Sequence, residues 1–287
     1  MDVRQSPEYA KYLEFSGWIV KECKIENVKC KIFIKKLPVF GSIIKIQRPE
    51  VVPFDEIPKL VKKYHAFVVY IEPLTTAQPP LLTKHGFHLS KSPFLPSKTI
   101  HLDLTQSEEK ILAGMAKDAR YGIRKAKEQD IKILRYEDIK KFHQVWKKSV
   151  GWQRWVPSLK SLQLLKRAFA KNALFLLAPN LGGTIILTAG NAAYYYQAFT
   201  LKEGRKKFAQ YLLVWEAIKK AKKMGCQIFD FEGIYDERFP QKSWLGFSHF
   251  KKSFGGKEIE FPPPFIKFSN PILNFLAKIS RFSVSVW

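Results

Sequence analysis

Cysteine is scarce: Cys23, Cys30 and Cys226 are the only three in 287 residues. Their spacing offers no paired metal-ligand motif, and an odd number does not suit a disulfide framework. They are expected to be reduced core residues of a cytoplasmic protein. The histidines (His65, His85, His88, His101, His143, His249) also lack metal spacing, so neither a metal nor a redox cofactor is expected. No run approaches the roughly 20 apolar residues of a membrane-spanning helix. Asp2, Arg4 and Glu8 precede any apolar stretch, which does not read as a signal peptide. No internal period or low-complexity tract is evident. Acidic residues are few as well, 25 against 49 Lys and Arg, for a formal net charge of +24. A field of that sign attracts nucleic acid, anionic lipid or phosphorylated substrates. It would also serve solubility alone.

What the chain does have is apolar substance. The hydrophobic fraction is 46%, with 23 Phe, which excludes a disordered chain. A helix is expected from Ser6 to Phe15, capped by Ser6 with Pro7 at its first position. Strands are expected at 29–35 and 42–47 about a Pro/Gly turn at 36–41. A helix at 57–64 and a buried strand at 66–71 follow. Residues 73–96 read as irregular, and 98–104 alternates like a strand. Thr105-Gln-Ser-Glu108 matches a capping box opening one helix to about Gln129. Its apolar face carries Ile111, Met115, Ala119 and Ile123, and its other face Lys117, Arg120, Arg124, Lys125 and Lys127. Gly114 and Gly122 within it suggest close approach of a neighbour.

The pattern then restarts: strand 131–136, helices 138–148 and 158–170, and a meander at 173–178, 184–189 and 192–199. A helix at 208–225 runs into an apolar strand, 226–234, with acids near its end. Lys251 comes next, just ahead of Gly255-Gly256. A helix, a strand with an acid near its end and a lysine in a Gly-rich segment form the skeleton of an acyl-transfer site. The order of hairpins, helix and further strand points to an α/β (α+β) sandwich of GCN5 (GNAT) type. It occurs twice, so two such domains in tandem are expected: 1–131 and 132–262, with 263–287 packing back on the first or touching an anionic membrane.

Three blocks resemble the Fem-type (FemABX) aminoacyltransferases that build peptidoglycan interpeptide bridges. One is Thr99-Ile-His-Leu-Asp-Leu104 with Arg120-Tyr-Gly-Ile-Arg-Lys-Ala126. The second is the helix 211–225 with Phe229-Asp-Phe-Glu-Gly-Ile234. The third is Phe250-Lys-Lys-Ser-Phe-Gly255. The resemblance is to short members without the long helical arm. It implies two GCN5-like domains, aminoacyl-tRNA as co-substrate, and an amino group of a muramyl-peptide precursor, UDP-linked or lipid-linked, as acceptor. By matching positions it implies that Lys251 faces the reacting carbonyl and that Asp103 is a candidate base. It also implies that Lys36, Arg154 and Tyr196 contact substrate.

The chemistry suits these residue types. A fixed cation at a developing oxyanion contributes about 3 kcal/mol, and cations can hold a diphosphate. Arg120, Arg124, Lys125 and Lys127 are candidates to follow a tRNA acceptor stem by phosphate contact. Each has a plainer reading. Arg154 between Trp152 and Trp155 could stack on an indole, and the helix cations could simply be solvated. Strand alternation turns Asp103 away from Leu102 and Leu104. Asp230 and Glu232 could form a catalytic pair, though structural hydrogen bonding is commoner on a buried strand. His249 could shuttle a proton. Two rival functions remain: acyl-CoA transfer, disfavoured because Arg205-Lys-Lys-Phe-Ala209 lacks the glycines of a pyrophosphate loop, and non-catalytic RNA or membrane binding.

Overall fold

The computed structural model describes residues 1–150 and 155–279. These form two compact units. The first comprises 1–98, 236–240 and 260 onward; the second comprises 99–235 and 241–259.

The first unit runs α1 (Pro7–Phe15), β1 (Ile19–Ile25), β2 (Val28–Leu37), β3 (Gly41–Gln47), α2 (Glu56–Tyr64), β4 (Ala66–Glu72), α3 (Gln78–Lys84) and β5 (His88–Leu89). Ser6 caps α1 through the Tyr9 amide, with Pro7 at the first turn as expected. The second unit continues with β6 (Lys98–Asp103), α4 (Glu108–Ala113), α5 (Lys117–Glu128), β7 (Leu134–Arg135), α6 (Ile139–Ser149) and α7 (Leu159–Phe169). Then come β8 (Ala173–Ala178), β9 (Gly182–Ala189), β10 (Ala192–Thr200), α8 (Lys202–Lys206), α9 (Ala209–Lys223), β11 (Ile228–Asp230), α10 (Leu245–Lys252) and β12 (Lys257–Glu260). The chain ends its described part with β13 (Phe265–Phe268) and α11 (Pro271–Ile279).

The first sheet has the order β1-β2-β3-β4-β13-β5 and the second β12-β6-β11-β10-β9-β8-β7. Both contain the same core: an antiparallel hairpin (β2–β3, β9–β10), a parallel neighbour reached through a helix (β4 after α2, β11 after α9), and an antiparallel strand beyond it (β13, β6). In each sheet that last strand comes from a distant part of the chain. This is why the units divide at 98/99 and not at 131. β6 hydrogen-bonds to β11, and α4 and α5 bury Ile111, Ala119 and Ile123 in the second sheet's core, so residues 99–131 belong to the second unit.

Packing explains the sequence runs. β8 and β9 are buried on both faces, so they read as unbroken apolar stretches rather than alternating ones. Leu174 and Leu176 meet α5 and α9, while Phe175 and Phe199 pack on Phe142 of α6. In the first sheet Ile32, Ile34, Ile44, Ile46 and Val69 share a core with Ile57 of α2 and Leu82 of α3.

Several local expectations are corrected. The single helix from Thr105 is two helices, broken at 114–116. Ser107, not Thr105, caps α4, accepting from the Lys110 amide, while Thr105 is occupied with Asp103. The break is sealed by Arg120, whose guanidinium donates to the Ala113 and Met115 carbonyls. Lys36 is not in a turn but within β2, opposite Ser42. The apolar stretch 226–234 is strand only over Ile228–Asp230. β1, α3 and β13 lie in segments where no regular element was expected, the sequence there lacking clean periodicity.

Candidate active site

The second sheet is built to open along one seam. β10 and β11 run parallel and pair at Ala192–Ile228, Ala193–Phe229 and Tyr194–Asp230 only. Past that point a bulge at Tyr196 breaks the register of β10 with β9. A bulge adds local twist and bends its strand. The chain after β11 instead stays with β6, as the Phe231 amide donates to the Ile100 carbonyl. Two neighbouring strands thus diverge just where the sequence places Asp-Phe-Glu-Gly.

Asp230 clamps the diverging side. It is buried, accepts from Thr99 Oγ1 and the Glu232 amide, and pairs with His101 Nε2 at 3.1 Å. Burial opposes its ionisation, but His101, Thr99 and that amide hold its carboxyl below the usual carboxylate range. Glu232 takes a left-handed φ of 59°, which turns the chain. Such a conformation persists in a non-glycine residue when its surroundings over-determine it, and here the bond to Asp230 does so. Of the two acids weighed as a catalytic pair, Asp230 is therefore engaged structurally.

α10 delivers Lys251 to this point. Ser248 Oγ accepts from the Tyr235 amide at 2.6 Å and donates to the Trp244 carbonyl, fastening the helix to the chain leaving the seam. At its other end the Ala116 amide donates to the Ser253 carbonyl. Gly255 has a φ of 79° and lies so close to the Gly114 carbonyl that a Cβ would stand 2.9 Å from that oxygen. The tight position is thus Gly255 and not Gly114, where a Cβ would stand 3.5 Å from the Lys110 carbonyl oxygen in ordinary contact. Gly122 likewise faces the Tyr211 ring, where a Cβ would stand 2.7 Å away. Phe250 and Phe254 pack on Tyr211.

Lys251 Nζ donates to the Gly233 carbonyl at 2.6 Å and lies 5.7 Å from the centre of the Tyr195 ring and 5.0 Å from that of Phe247. The residue keeps some exposed surface, but burial of the ammonium lowers its pKa to about 8, against the opposing pull of Glu232 and Asp230. Nearby, the Tyr195 hydroxyl accepts from Gln210 Nε2, and Thr200 Oγ1 donates to Gln210 Oε1. Burial raises the Tyr195 phenol well above its ordinary value, so it stays neutral. The arrangement is a cation held by one carbonyl and two aromatic faces at the mouth of a strand divergence. It can offer a positive charge, or near pH 8 a neutral amine, to an oxygen placed there.

The other sequence candidates fall elsewhere. Tyr196 is the bulge residue beside Tyr195. Asp103 is exposed; it accepts from Thr105 and Gln106, and these bonds, the Thr105 side chain first, lower its pKa. It pairs with Ile228 at the start of β11. Lys36 is exposed at the end of β2 in the first unit. Arg154 lies outside the described residues. On α5, Arg120 is committed to carbonyls, while Arg124 and Lys125 share Glu128 at 3.7 and 2.7 Å. Lys127 is exposed. Tyr195 and Phe247 were not singled out from sequence, and Thr99 and His101 stand in the first resembling block without an assigned role. For Tyr195 the Tyr194–Tyr195–Tyr196 run ahead of a helix was the available signal.

A family model described as the FemAB family matches residues 176–280. Two of the three resembling blocks lie within that span, so the Fem-type resemblance holds there. The fold likeness runs along nearly the whole chain. The structure described as "Crystal structure of FemX" matches with a TM-score of 0.82 at 16% identity, covering 96% of this chain and 94% of that one. L-PGS from Bacillus licheniformis matches at 0.59 and 12% identity, covering 97% and 98%. A tandem GNAT protein from the clavulanic acid biosynthesis pathway matches at 0.54 and 11% identity, covering 85% and 79%. Both units therefore have the GNAT-like plan. No curated protein sequence matches the chain.

Proposed function

We propose, from the FemAB match over residues 176–280, that the protein moves an aminoacyl group from aminoacyl-tRNA to an amino group of a muramyl-peptide precursor. The observation that carries this reading is the Lys251 ammonium, held on the Gly233 carbonyl where β10 and β11 part. The ester is already activated. The acceptor amine adds to its carbonyl carbon, and the carbonyl electrons move to oxygen. Lys251 neutralises that oxyanion. As it collapses, the new amide forms, the ester C–O bond breaks, and the ribose oxygen takes up the proton lost by the amine.

With a pKa of about 8 the ammonium is mostly charged at neutral pH, yet poorly hydrated. A desolvated cation acts on a nearby oxygen more strongly than one in water. Gly233 fixes it in advance, so no reorganisation is needed as charge develops. The net charge of +24 favours approach of tRNA and of a diphosphate-bearing acceptor. Lys36 and Lys127, both exposed, are candidates to meet them.

The test incubates the protein with tRNA carrying labelled amino acids and, in separate reactions, UDP-linked muramyl peptide, lipid-linked muramyl peptide and phosphatidylglycerol. Label should reach a muramyl-peptide amine. Transfer only to phosphatidylglycerol would overturn the acceptor, and transfer only from acyl-CoA in a parallel reaction would overturn the donor.

A further inference from the structure

One end of the first unit gathers cations and exposed apolar side chains. Leu37 of β2 pairs with Gly41, and Ser42 with Ala66 at the start of β4. The Ser269 amide donates to the Phe67 carbonyl, and the antiparallel pairing of Leu89 with Phe265 and His88 with Ile266 runs the chain before β5 toward the Phe268 end of β13. The β2–β3 hairpin tip, the C-termini of α2 and α3, and the start of α11 therefore lie at the same end of one sheet. Segments 35–42, 62–66, 84–88 and 265–276 carry six lysines there (Lys35, Lys36, Lys62, Lys63, Lys84, Lys267) and no Asp or Glu.

The apolar groups point outward. Val39 is 98% and Phe40 74% exposed at the hairpin tip. Val39 also has a φ of 71°, a backbone region that β-branched residues avoid. α11 is amphipathic the wrong way round for a helix that serves a core. Asn270 caps its start through the Ile272 and Leu273 amides. Its polar side, Asn274, accepts the Phe268 amide, while Ile272 is 70% and Phe275 61% exposed, with Leu273 and Leu276 beside them. Helical spacing places those four on the side opposite Asn274. No helix among the described residues is long and apolar enough to cross a membrane.

We propose that this end of the first unit docks on an anionic phospholipid surface. Ile272, Phe275, Val39 and Phe40 enter the headgroup–acyl boundary, and Lys62, Lys63 and Lys84 meet lipid phosphates. An apolar helix face at an end where lysines outnumber the acid Glu14 of the α1 C-terminus suits that interface. Nucleic acid would use the charge but not the apolar face. A second copy of this chain would bring six more lysines against these. The inference is independent of the transfer reaction, because binding is read without turnover.

The full chain is floated with vesicles of phosphatidylcholine alone or enriched in phosphatidylglycerol, at low and high salt. Wild type should bind the anionic vesicles only, and less at high salt. Ile272→Asp with Phe275→Asp should weaken partitioning on the order of tenfold. Val39→Ser with Phe40→Ser, on a separate element, should weaken it too, and Lys62→Glu with Lys63→Glu should remove the preference for anionic lipid. Near-ultraviolet circular dichroism must stay unchanged in all three. No flotation of wild type, or equal flotation of wild type and the correctly folded apolar variants, overturns the proposal. So does a concentration-dependent dimer in sedimentation velocity that these variants abolish.

Discussion

In the first sheet the parallel strands β3 and β4 stay paired through six residue pairs, from Ser42–Ala66 to Gln47–Glu72, whereas their counterparts β10 and β11 hold for three. The difference lies in what occupies the end of each seam. In the first sheet Glu72 closes it: buried, it accepts from Gln47 Nε2 and from the Phe94 and Leu95 amides, and its own carbonyl takes the Arg48 amide. In the second, Asp230 bonds sideways to β6 and to its own turn, leaving β10 free to bend away at Tyr196. One carboxylate ties its seam shut, the other ties only one side of it. The same topology yields a closed seam in one unit and, beside Lys251, an open one in the other, where the proposed chemistry would sit.

That contrast is broken most directly by substitution at the two seam ends. Lys251→Ala should reduce single-turnover aminoacyl transfer about a hundred- to a thousandfold, the usual cost of losing one oxyanion contact, with little change in melting temperature. Glu72→Ala should do the reverse. It leaves buried donors unsatisfied at about 1–3 kcal/mol, read as a lower urea midpoint, while transfer per folded molecule is retained. If Glu72→Ala abolishes transfer at full stability, the first seam is not merely structural.

A second contrast concerns helix contact. Alanine is the better helix former than glycine by about 1 kcal/mol, yet Gly122→Ala should destabilise, because its Cβ would stand 2.7 Å from the Tyr211 ring. Overpacking of this kind costs about 1–3 kcal/mol, measurable by thermal unfolding.

The pH profile sharpens the reading of Lys251. If the charged form works, transfer should fall as pH rises through about 8, and Lys251→Arg, if active, should lose that descending limb. The stability effect has a definite sign. The folded pKa lies below the ordinary lysine value, so between about 8 and 10.5 the unfolded chain binds the extra proton. The Lys251 contribution to stability therefore becomes less unfavourable as pH rises through that window, and a Lys251→Met variant should show a flatter dependence. The smallest effect is expected at the solvent-exposed turn: Asp103→Asn should change the transfer rate by less than about twofold.

Much of this was legible in one dimension. The apolar runs of β8 and β9, the Ser6 cap, and the helix–strand passage from 209 to 230 follow from period and capping chemistry that act over a few residues. Lys251 was legible because its Gly-rich surroundings and the neighbouring Phe-Asp-Phe-Glu-Gly run carry a pattern. Asp103 admits two readings. An aspartate two residues before a threonine can equally well close a turn with it, and only the pairing with Ile228 places it at the far end of β11. The break between α4 and α5 was also hidden, since the guanidinium that seals it is supplied by Arg120, six residues beyond Gly114.

The sequence by itself determined the alternation of helices and strands, the two repeated α/β halves and the excess of positive charge. Those properties arise from neighbours along the chain or from simple counting. Tertiary structure alone decided that β6 and β13 cross between halves, that one parallel seam closes and the other opens, and that burial brings the Lys251 pKa to about 8. Each of those depends on groups far apart in sequence sharing one hydrogen bond or one desolvated space, which no local pattern encodes.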